Sequence, residues 1–231
     1  MLQDGFADLD FKIGRIREAV IAAQDQVAKY PDDIEAHELL GKVYLRSLGD
    51  MQSPQSGQML QLAIAEYEKL AQLKPNDVET HLLLGQLYGV DHDSTKAEAQ
   101  FKAAQKIDAD SEDVVLNLAR LYSDQGDMQR SVEVLSGVPV DDRTARIEVA
   151  LAADYDQLKK SKDAIAAYRR AMDLDPDNLD IERGLANALL NAGQLDESQK
   201  LFTQIVTAEP QDAQSQIHLS EIQRQQGHYD E

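Results

Sequence analysis

The 231-residue chain contains no cysteine and no tryptophan, and aromatic residues make up only 5% of it. Without cysteine, disulfides, thiolate zinc sites and cysteine nucleophiles are all excluded. This composition suits the cytoplasm and the periplasm equally, so it does not decide between these two compartments. With so few aromatic side chains, the core must be built mainly from aliphatic residues and alanine. Such a core favours closely packed helices over a β-sandwich or a barrel.

Positive charge is also scarce. The chain carries 23 Lys and Arg residues against 42 Asp and Glu residues, a formal net charge of −19. Because a phosphate backbone or an anionic lipid surface would repel this charge, we expect no nucleic-acid partner. No apolar run approaches the roughly 18 residues that would span a membrane. Residues 1–6 show no export signal, since they lack a basic segment followed by a long apolar stretch.

What the sequence does contain is a repeat of about 34 residues. Gly126 and Gly193 lie 67 residues apart, or two periods, and Gly227 follows 34 residues after Gly193. Prolines that follow helical runs recur with this period, except for a step of 44 residues between the first two of them, and proline disfavours helix in the residue before it. These prolines are Pro31, Pro75, Pro176 and Pro210. The pattern predicts pairs of amphipathic helices, each too small to bury its apolar face without a neighbouring pair.

Residue types at fixed positions, or slots, within each period identify the repeat. A small residue follows a leucine in each first helix, at Gly41, Gly85, Ala119, Ala152, Ala186 and Ser220. An aromatic residue comes three positions later, at Tyr44, Tyr88, Tyr122 and Tyr155. The second helix has a bulky slot, at Tyr67, Phe101, Leu135, Tyr168 and Phe202. This register resembles the tetratricopeptide repeat over essentially the whole chain. The resemblance implies an all-α, right-handed α-solenoid of stacked antiparallel helix hairpins.

We therefore predict a single solenoid over residues 1–231. Its units would be 1–33 (degenerate), 34–77, 78–111, 112–144, 145–178, 179–212 and a half unit at 213–231. The second unit is longer than the period, and the surplus at residues 47–57 is rich in Ser, Gly and Pro, which predicts a loop. Residues 136–140 should end the second helix of the fourth unit early. We expect the chain to be the repeat segment of a longer bacterial protein.

Catalytic motifs are missing from the sequence. It contains no nucleophile elbow, phosphate loop, dinucleotide fingerprint or His-Glu-x-x-His pattern. His37 and His81 occupy the same slot, three residues before the leucine of a first helix, which favours a packing role. The segments 91–93 and 228–230 contain metal-ligand residue types, but they lie in turns that usually face water. We therefore expect neither an enzyme, nor a cofactor, nor a metal site.

The resemblance implies a protein–protein interaction scaffold whose concave groove, lined by the first helices, binds an extended peptide or a partner helix. A set of groove-facing side chains would hold a carboxylate of the guest, since arginine binds carboxylates through two parallel hydrogen bonds and asparagine fixes their direction. This predicted peptide-binding set is Asn117, Arg120, Arg146, Arg183 and Asn187. Alternatively, nearby acids would pair with these arginines as solvated ion pairs. Those acids are Asp113, Asp124, Asp156 and Asp180.

Two further hypotheses stay open at this point. The half unit at the end would leave apolar residues uncovered, and these would support end-to-end self-association. The residues are Val206, Ile217, Leu219 and Ile222. In the alternative from another functional class, the chain is a regulatory or substrate-presenting arm of a larger enzyme whose catalytic domain lies outside these residues.

Overall fold

The computed structural model describes residues 16–48 and 56–226, and this part of the chain contains α-helices, one short 3₁₀ helix and no strand. The helices of the first half are α1 (Ile16–Lys29), α2 (Ile34–Ser47), α3 (Ser56–Leu73), α4 (Val78–Val90), α5 (Ser94–Ile107) and α6 (Glu112–Asp124). Those of the second half are α7 (Met128–Ser136), α8 (Ala145–Gln157), α9 (Ser161–Leu174), α10 (Leu179–Asn191), α11 (Leu195–Ala208) and α12 (Ala213–Gln225). The predicted all-α class is confirmed.

The helices pack as hairpins of chain neighbours. The chain divides into two compact units, residues 1–121 and 122–231. In the first unit α2 packs against α3 and α4 against α5, and in the second α8 packs against α9 and α10 against α11. We call the even-numbered helices first helices and the odd-numbered ones second helices. The predicted boundaries of the 34-residue units stay a prediction. Most of the predicted loop at 47–57, the first 15 residues and the segment 228–230 lie outside the described residues.

Helix ends follow the proline spacing. Helix α1 ends two residues before Pro31, and α3 ends two residues before Pro75. After each stop, an acidic side chain caps the next helix by accepting a hydrogen bond from the backbone N–H three residues further on. Aspartates cap α2, α4, α5, α7 and α12 in this way, at Asp33, Asp77, Asp93, Asp127 and Asp212. Each cap of this kind contributes about 1 kcal/mol, so these polar residues delimit the helices.

The turn inside each of four hairpins contains a residue in the left-handed conformation. Its φ is 60° at His92, 80° at Gly126, 58° at Lys159 and 74° at Gly193. Glycine adopts this conformation without steric strain, whereas a side chain disfavours it. Glycine therefore occurs in two of these turns because the backbone there needs a positive φ angle. His92 and Lys159 adopt the same positive φ with a side chain attached, which is strained.

The helices approach each other most closely where a glycine faces an aromatic ring. A methyl group at Gly85 would lie 2.5 Å from the Phe101 ring, and one at Gly184 would lie 2.5 Å from the Tyr168 ring. A methyl group at Gly41 would lie 3.0 Å from the Tyr67 ring. At Gly41 and Gly85, the small slot of the first helix thus lies against the bulky slot of the second helix. The sequence reading did not identify Gly184, because the small slot of α10 was assigned to Ala186, which is itself fully buried.

The tyrosines of the first helices belong to the core, as predicted. Tyr44, Tyr88 and Tyr122 are buried, and Tyr155 is half-buried. The Tyr44 hydroxyl accepts a hydrogen bond from Gln24 at 2.9 Å, and the Tyr88 hydroxyl donates one to Glu68. The hydroxyls of Tyr44 and Tyr88 are thus hydrogen-bonded to the second helix that precedes each of them in the chain.

Helix α7 ends early at Ser136, as predicted, and a 3₁₀ turn at Val140–Asp142 follows it. Arg143 closes this irregular connection, since its guanidinium donates to the carbonyl oxygens of Val138 at 2.9 Å and Ser136 at 3.1 Å. It also reaches Glu148 at 3.4 Å. Glu148 is 1% exposed and accepts a second hydrogen bond from Arg170 at 2.8 Å. A buried carboxylate needs such partners, because losing one typically costs about 3–5 kcal/mol.

Candidate protein-binding face

The two histidines that share a slot make the same kind of contact. Nε2 of His37 lies 2.8 Å from the carbonyl oxygen of Pro31, and its Nδ1 lies 2.6 Å from Glu66. Nε2 of His81 lies 3.1 Å from the carbonyl oxygen of Pro75, and its Nδ1 lies 2.8 Å from the Gln100 side chain. Because a carbonyl oxygen only accepts, Nε2 donates a hydrogen bond in both rings. Both rings are buried, which confirms that they pack and tie the preceding proline turn to a second helix.

The acidic turn at residues 91–93 has a structural role. Asp91 accepts a hydrogen bond from the Gln61 amide at 2.6 Å, and Asp93 caps α5 through the Lys96 N–H at 3.1 Å. His92 between them is the left-handed turn residue. Residues 16–48 and 56–226 contain no group of three or more His, Asp or Glu side chains that would hold a metal ion.

The predicted peptide-binding residues are divided between the two units. Asn117 and Arg120 lie on α6 in the first unit. The Asn117 amide donates to the Asp113 carbonyl oxygen at 2.7 Å, and its oxygen accepts from Gln86 of α4 at 3.1 Å. Arg120 is exposed. The structure therefore links Asn117 to the neighbouring first helix and leaves the Arg120 side chain open to solvent.

Arg146, Arg183 and Asn187 lie in the second unit. Arg146 is exposed at the start of α8, and Asn187 is half-buried on α10. Arg183 contacts three carboxylates: its guanidinium pairs with Asp180, with Glu209 at 3.0 Å and with Asp212 at 2.9 Å. The alternative of intramolecular ion pairs therefore holds for Arg183, because its hydrogen-bond donors are already engaged.

Arg183 is part of the cap of α12. Asp212 accepts hydrogen bonds from the Ser215 hydroxyl at 2.7 Å and the Ser215 backbone N–H at 3.1 Å. These bonds, together with the Arg183 guanidinium, lower the pKa of Asp212 to about 2. The cluster fastens the turn between α11 and α12 to the first helix of the preceding hairpin.

A cavity of about 60 Å³ opens between the first helices α2 and α4 of the first unit. Its floor is formed by second-helix residues, and its rim carries acidic and basic side chains. The residues around it are Glu38, Lys42, Tyr67, Leu70, Lys74, Asp77, Glu79, Thr80 and Leu83. Burial, Glu79 and Glu38 together raise the pKa of the Tyr67 phenol to about 12. Sequence reasoning missed this cavity, because it considered only the first-helix slots and treated Tyr67 as core.

The sequence profile described as tetratricopeptide repeat matches residues 91–154 and 157–217, which is more than half of the chain. This chain belongs to the tetratricopeptide repeat family. The resemblance noted from the repeat register is thereby confirmed. No protein of curated function matches the sequence.

Solved structures of other tetratricopeptide repeat proteins share the fold. The C-terminal part of such a protein from Cytophaga hutchinsonii has a TM-score of 0.76 at 14% identity, over 98% of this chain and 87% of that one. MamA from Desulfovibrio magneticus RS-1 has a TM-score of 0.63 at 18% identity, over 78% and 97%. YrrB, described as having an unusual peptide-binding site, has a TM-score of 0.60 at 14% identity, over 71% and 85%.

The last described helix of this tetratricopeptide repeat protein corrects one prediction. Ile222 was expected to be uncovered, yet it is fully buried against Ala186, Phe202 and Ile205. Ile217 is 60% exposed. The two residues lie roughly 140° apart around α12, since each residue turns an α-helix by about 100°, so only one of them faces α11. Leu219 packs against the buried cluster and Val206 is half-buried. End-to-end association stays a prediction, and it rests on the exposed Ile217 and on Val206 and Leu219, which are half-buried and so partly uncovered as expected.

The family assignment gives the general function. Tetratricopeptide repeats serve as protein–protein interaction scaffolds and are generally not catalytic, and this chain is such a scaffold. Over the described ranges, none of the helices combines the length and the apolar character needed to cross a membrane.

Proposed function

We propose that the first-helix face of residues 34–121 binds an extended peptide or a helix of a partner protein. The observation that carries this proposal is the distribution of apolar residues around α4. Helix α6 gathers its apolar residues on one side, whereas those of α4 are spread around the whole helix. A helix of that kind is normally covered all round. In the first unit, one side of α4 contacts α3 and α5, and its other side is open.

The open side of α4 mixes apolar and polar groups. Leu82 and Leu83 are half-buried, and Val90 is 41% exposed. The exposed polar side chains Glu79 and Gln86 lie between them. This combination suits a guest that buries a few apolar side chains and is oriented by hydrogen bonds, which is how peptides and helices bind shallow grooves. The related fold of YrrB, described as having a peptide-binding site, supports the same use of the scaffold.

The predicted carboxylate-binding set is kept in a narrower form. Arg120 is exposed, so it would reach a carboxylate of a guest within the first unit. Arg146 stays in the set as an exposed residue at the start of α8, where a guest carboxylate would compete with the contact that this side chain already makes. Arg183 is left out of this set, because Asp180, Glu209 and Asp212 already engage its guanidinium. Asn117 and Asn187 remain as candidate hydrogen-bonding partners of the guest backbone.

The proposal is tested by selecting random 12-residue peptides on the purified chain and measuring the dissociation constants of enriched sequences. The double variant Leu82→Gln and Val90→Gln should weaken binding about tenfold or more, because two apolar contacts of the open face are lost. Its matched control is Ile107→Gln, which changes an exposed isoleucine on a second helix. Circular dichroism checks that both variants stay folded. Equal affinity of the selected peptides for the double variant and the control would contradict the proposal.

A further inference from the structure

The cavity between α2 and α4 contains a buried phenol with no hydrogen-bonding partner. Tyr67 is 4% exposed, and its ring packs against the backbone of Gly41. In the described part of the chain, its hydroxyl makes no hydrogen bond, unlike those of Tyr44 and Tyr88. Glu79 and Glu38 line the same cavity as Tyr67, and both carboxylates raise the pKa of its phenol. The residue lines the cavity, so its hydroxyl oxygen is available to accept a hydrogen bond from a ligand there.

The charges of the rim leave one carboxylate uncompensated. Glu38, Asp77 and Glu79 face the ammonium groups of Lys42 and Lys74. Lys74 pairs with Glu38 at 2.9 Å and with Asp77 at 3.4 Å, and Lys42 lies 3.8 Å from Glu38. Within the ranges 16–48 and 56–226, Glu79 has no ion-pair partner, and it is exposed at the cavity mouth. A cation is therefore the complementary ligand, whereas an anion would meet three carboxylates.

The size of the cavity limits the ligand to a head group. A volume of about 60 Å³ is far below the roughly 300–1,000 Å³ of pockets that enclose whole small molecules. The floor formed by the Tyr67 ring and Leu70, together with Leu83 of α4, is an apolar surface that suits a flat, weakly hydrated group. Guanidinium has this character, and its planar fork would donate to the Glu79 carboxylate and the Tyr67 oxygen at the same time. An ammonium is more strongly hydrated and lacks that planar geometry.

We infer that this cavity binds the guanidinium group of an arginine in the bound peptide or partner helix. The inference rests on the proposed function, because the cavity opens on the same face as the apolar side of α4. It adds the chemistry of the guest: an arginine whose neighbours contact Leu82 and Leu83. The overall acidity of the chain acts in the same direction, since it attracts a basic partner over longer distances.

A pair of peptides tests the inference directly. The probes are acetyl-Gly-Leu-Arg-Leu-Gly-amide and the same peptide with citrulline, which keeps the shape of arginine and removes its charge. Binding is followed by the amide chemical shifts of the ¹⁵N-labelled chain. The arginine peptide should cause saturable shifts around Tyr67 and Glu79 and bind about tenfold more tightly than the citrulline peptide. Equal affinities of the two probes would overturn the inference.

Two variants locate the interaction. Tyr67→Phe removes only the hydroxyl, and Phe101 already occupies the same slot of the next hairpin, so this variant should fold normally. Glu79→Gln removes the uncompensated charge. We expect about a fivefold loss of arginine-peptide affinity for the first variant and about a tenfold loss for the second. The control is Asp110→Asn, an equal charge change at an exposed turn residue. Affinities unchanged in both cavity variants would overturn the inference.

The failure of this inference differs from the failure of the proposed function. If selected 12-residue peptides depend on Leu82 and Val90 but not on Tyr67 and Glu79, the face binds guests and the arginine assignment is wrong. If the arginine probe binds at Tyr67 while no selected peptide depends on Leu82 and Val90, the cavity is a cation site and the proposed peptide face is wrong.

Discussion

At the scale of single residues, backbone conformation explains why the repeat is imperfect in sequence. Four hairpin turns need a left-handed residue, but only Gly126 and Gly193 supply glycine. His92 and Lys159 adopt the same conformation with a side chain attached, which costs roughly 1–2 kcal/mol. The turn slot is thus defined by its φ angle rather than by its residue type, and the two deviating turns are sites of stored strain.

Replacing Lys159 by glycine should stabilise the protein. Relief of the left-handed strain outweighs the added flexibility of glycine in the unfolded chain, so we expect a gain of roughly 0.5–1 kcal/mol. Urea denaturation followed by circular dichroism measures the change. The matched control is Lys200→Gly in the middle of α11, where the same substitution should cost about 1 kcal/mol. A lower urea midpoint for the Lys159 variant would contradict the expectation.

Some contacts between individual residues can be predicted from the sequence, and others cannot. The sequence places Gly85 and Phe101 in the small and the bulky slot, because both slots follow from the helical period and a fixed offset along the chain, and the structure brings the two residues together. The partners of Arg183 were only partly foreseen: Asp180 lies on the same helix, but Glu209 and Asp212 belong to the following turn. Among so many acidic residues, the sequence does not indicate which ones the packing of the next hairpin brings near.

At the scale of helices and turns, aspartate side chains cap the N-termini of several helices, and such a cap depends on the carboxyl group being ionised. The cap of α12 is the strongest case, since Ser215, its backbone N–H and Arg183 lower the pKa of Asp212 to about 2. The folded-state pKa therefore lies below the ordinary value of 3.8. Asp212 contributes stability above the ordinary value, and this contribution is lost as the pH falls through the folded value.

We expect α12 to loosen between about pH 4 and pH 2, because protonation of Asp212 in this range removes its contribution to the cap. Amide chemical shifts of α12 recorded over this range report the transition. In Asp212→Asn, α12 should already be less stable at pH 7, and its pH dependence in this window should be reduced. Asp173→Asn, at an exposed position on α9, serves as the control. An acid transition of α12 that is identical in wild type and Asp212→Asn would rule out this role of the cap.

The cavity could not be predicted from the first helices alone, because second-helix residues also line it. Its rim comes from first-helix slots, which the sequence reading examined, but its floor comes from Tyr67 and Leu70 of α3. Whether a second-helix side chain reaches between two first helices depends on how far the hairpins are offset. The same reasoning applies to Ile222, whose burial is decided by the rotation of α12 about its axis. Helical spacing predicts a face, and packing decides which face is covered.

At the scale of the whole molecule, the net charge of −19 opposes the compact state. Exposed ion pairs such as Arg169 with Glu197 at 2.8 Å contribute about 0–1 kcal/mol each and weaken in salt. Repulsion among the excess carboxylates also weakens in salt, and it acts over longer distances. Since 42 acidic residues face only 23 basic ones, we expect the loss of repulsion to dominate.

Sodium chloride should therefore stabilise the protein. Raising its concentration from about 0.02 M to about 0.3 M shortens the screening length to below about 10 Å and should raise the melting temperature by a few degrees. Differential scanning calorimetry measures this change. The rise should level off above about 0.3 M, whereas a general salting-out effect would continue to grow. A melting temperature that falls over this range would show that the ion pairs dominate.

The open apolar side of α4 also has a consequence for the protein before any guest arrives. Residues 82–88 form a stretch without a single charged side chain, and such stretches tend to aggregate when they are exposed. Glu79 and Asp91 flank it, and charges in flanking positions discourage the stacking of one chain on another. The acidic residues of this scaffold therefore have a second role: in the newly synthesised chain they oppose aggregation of this apolar segment until a guest covers it.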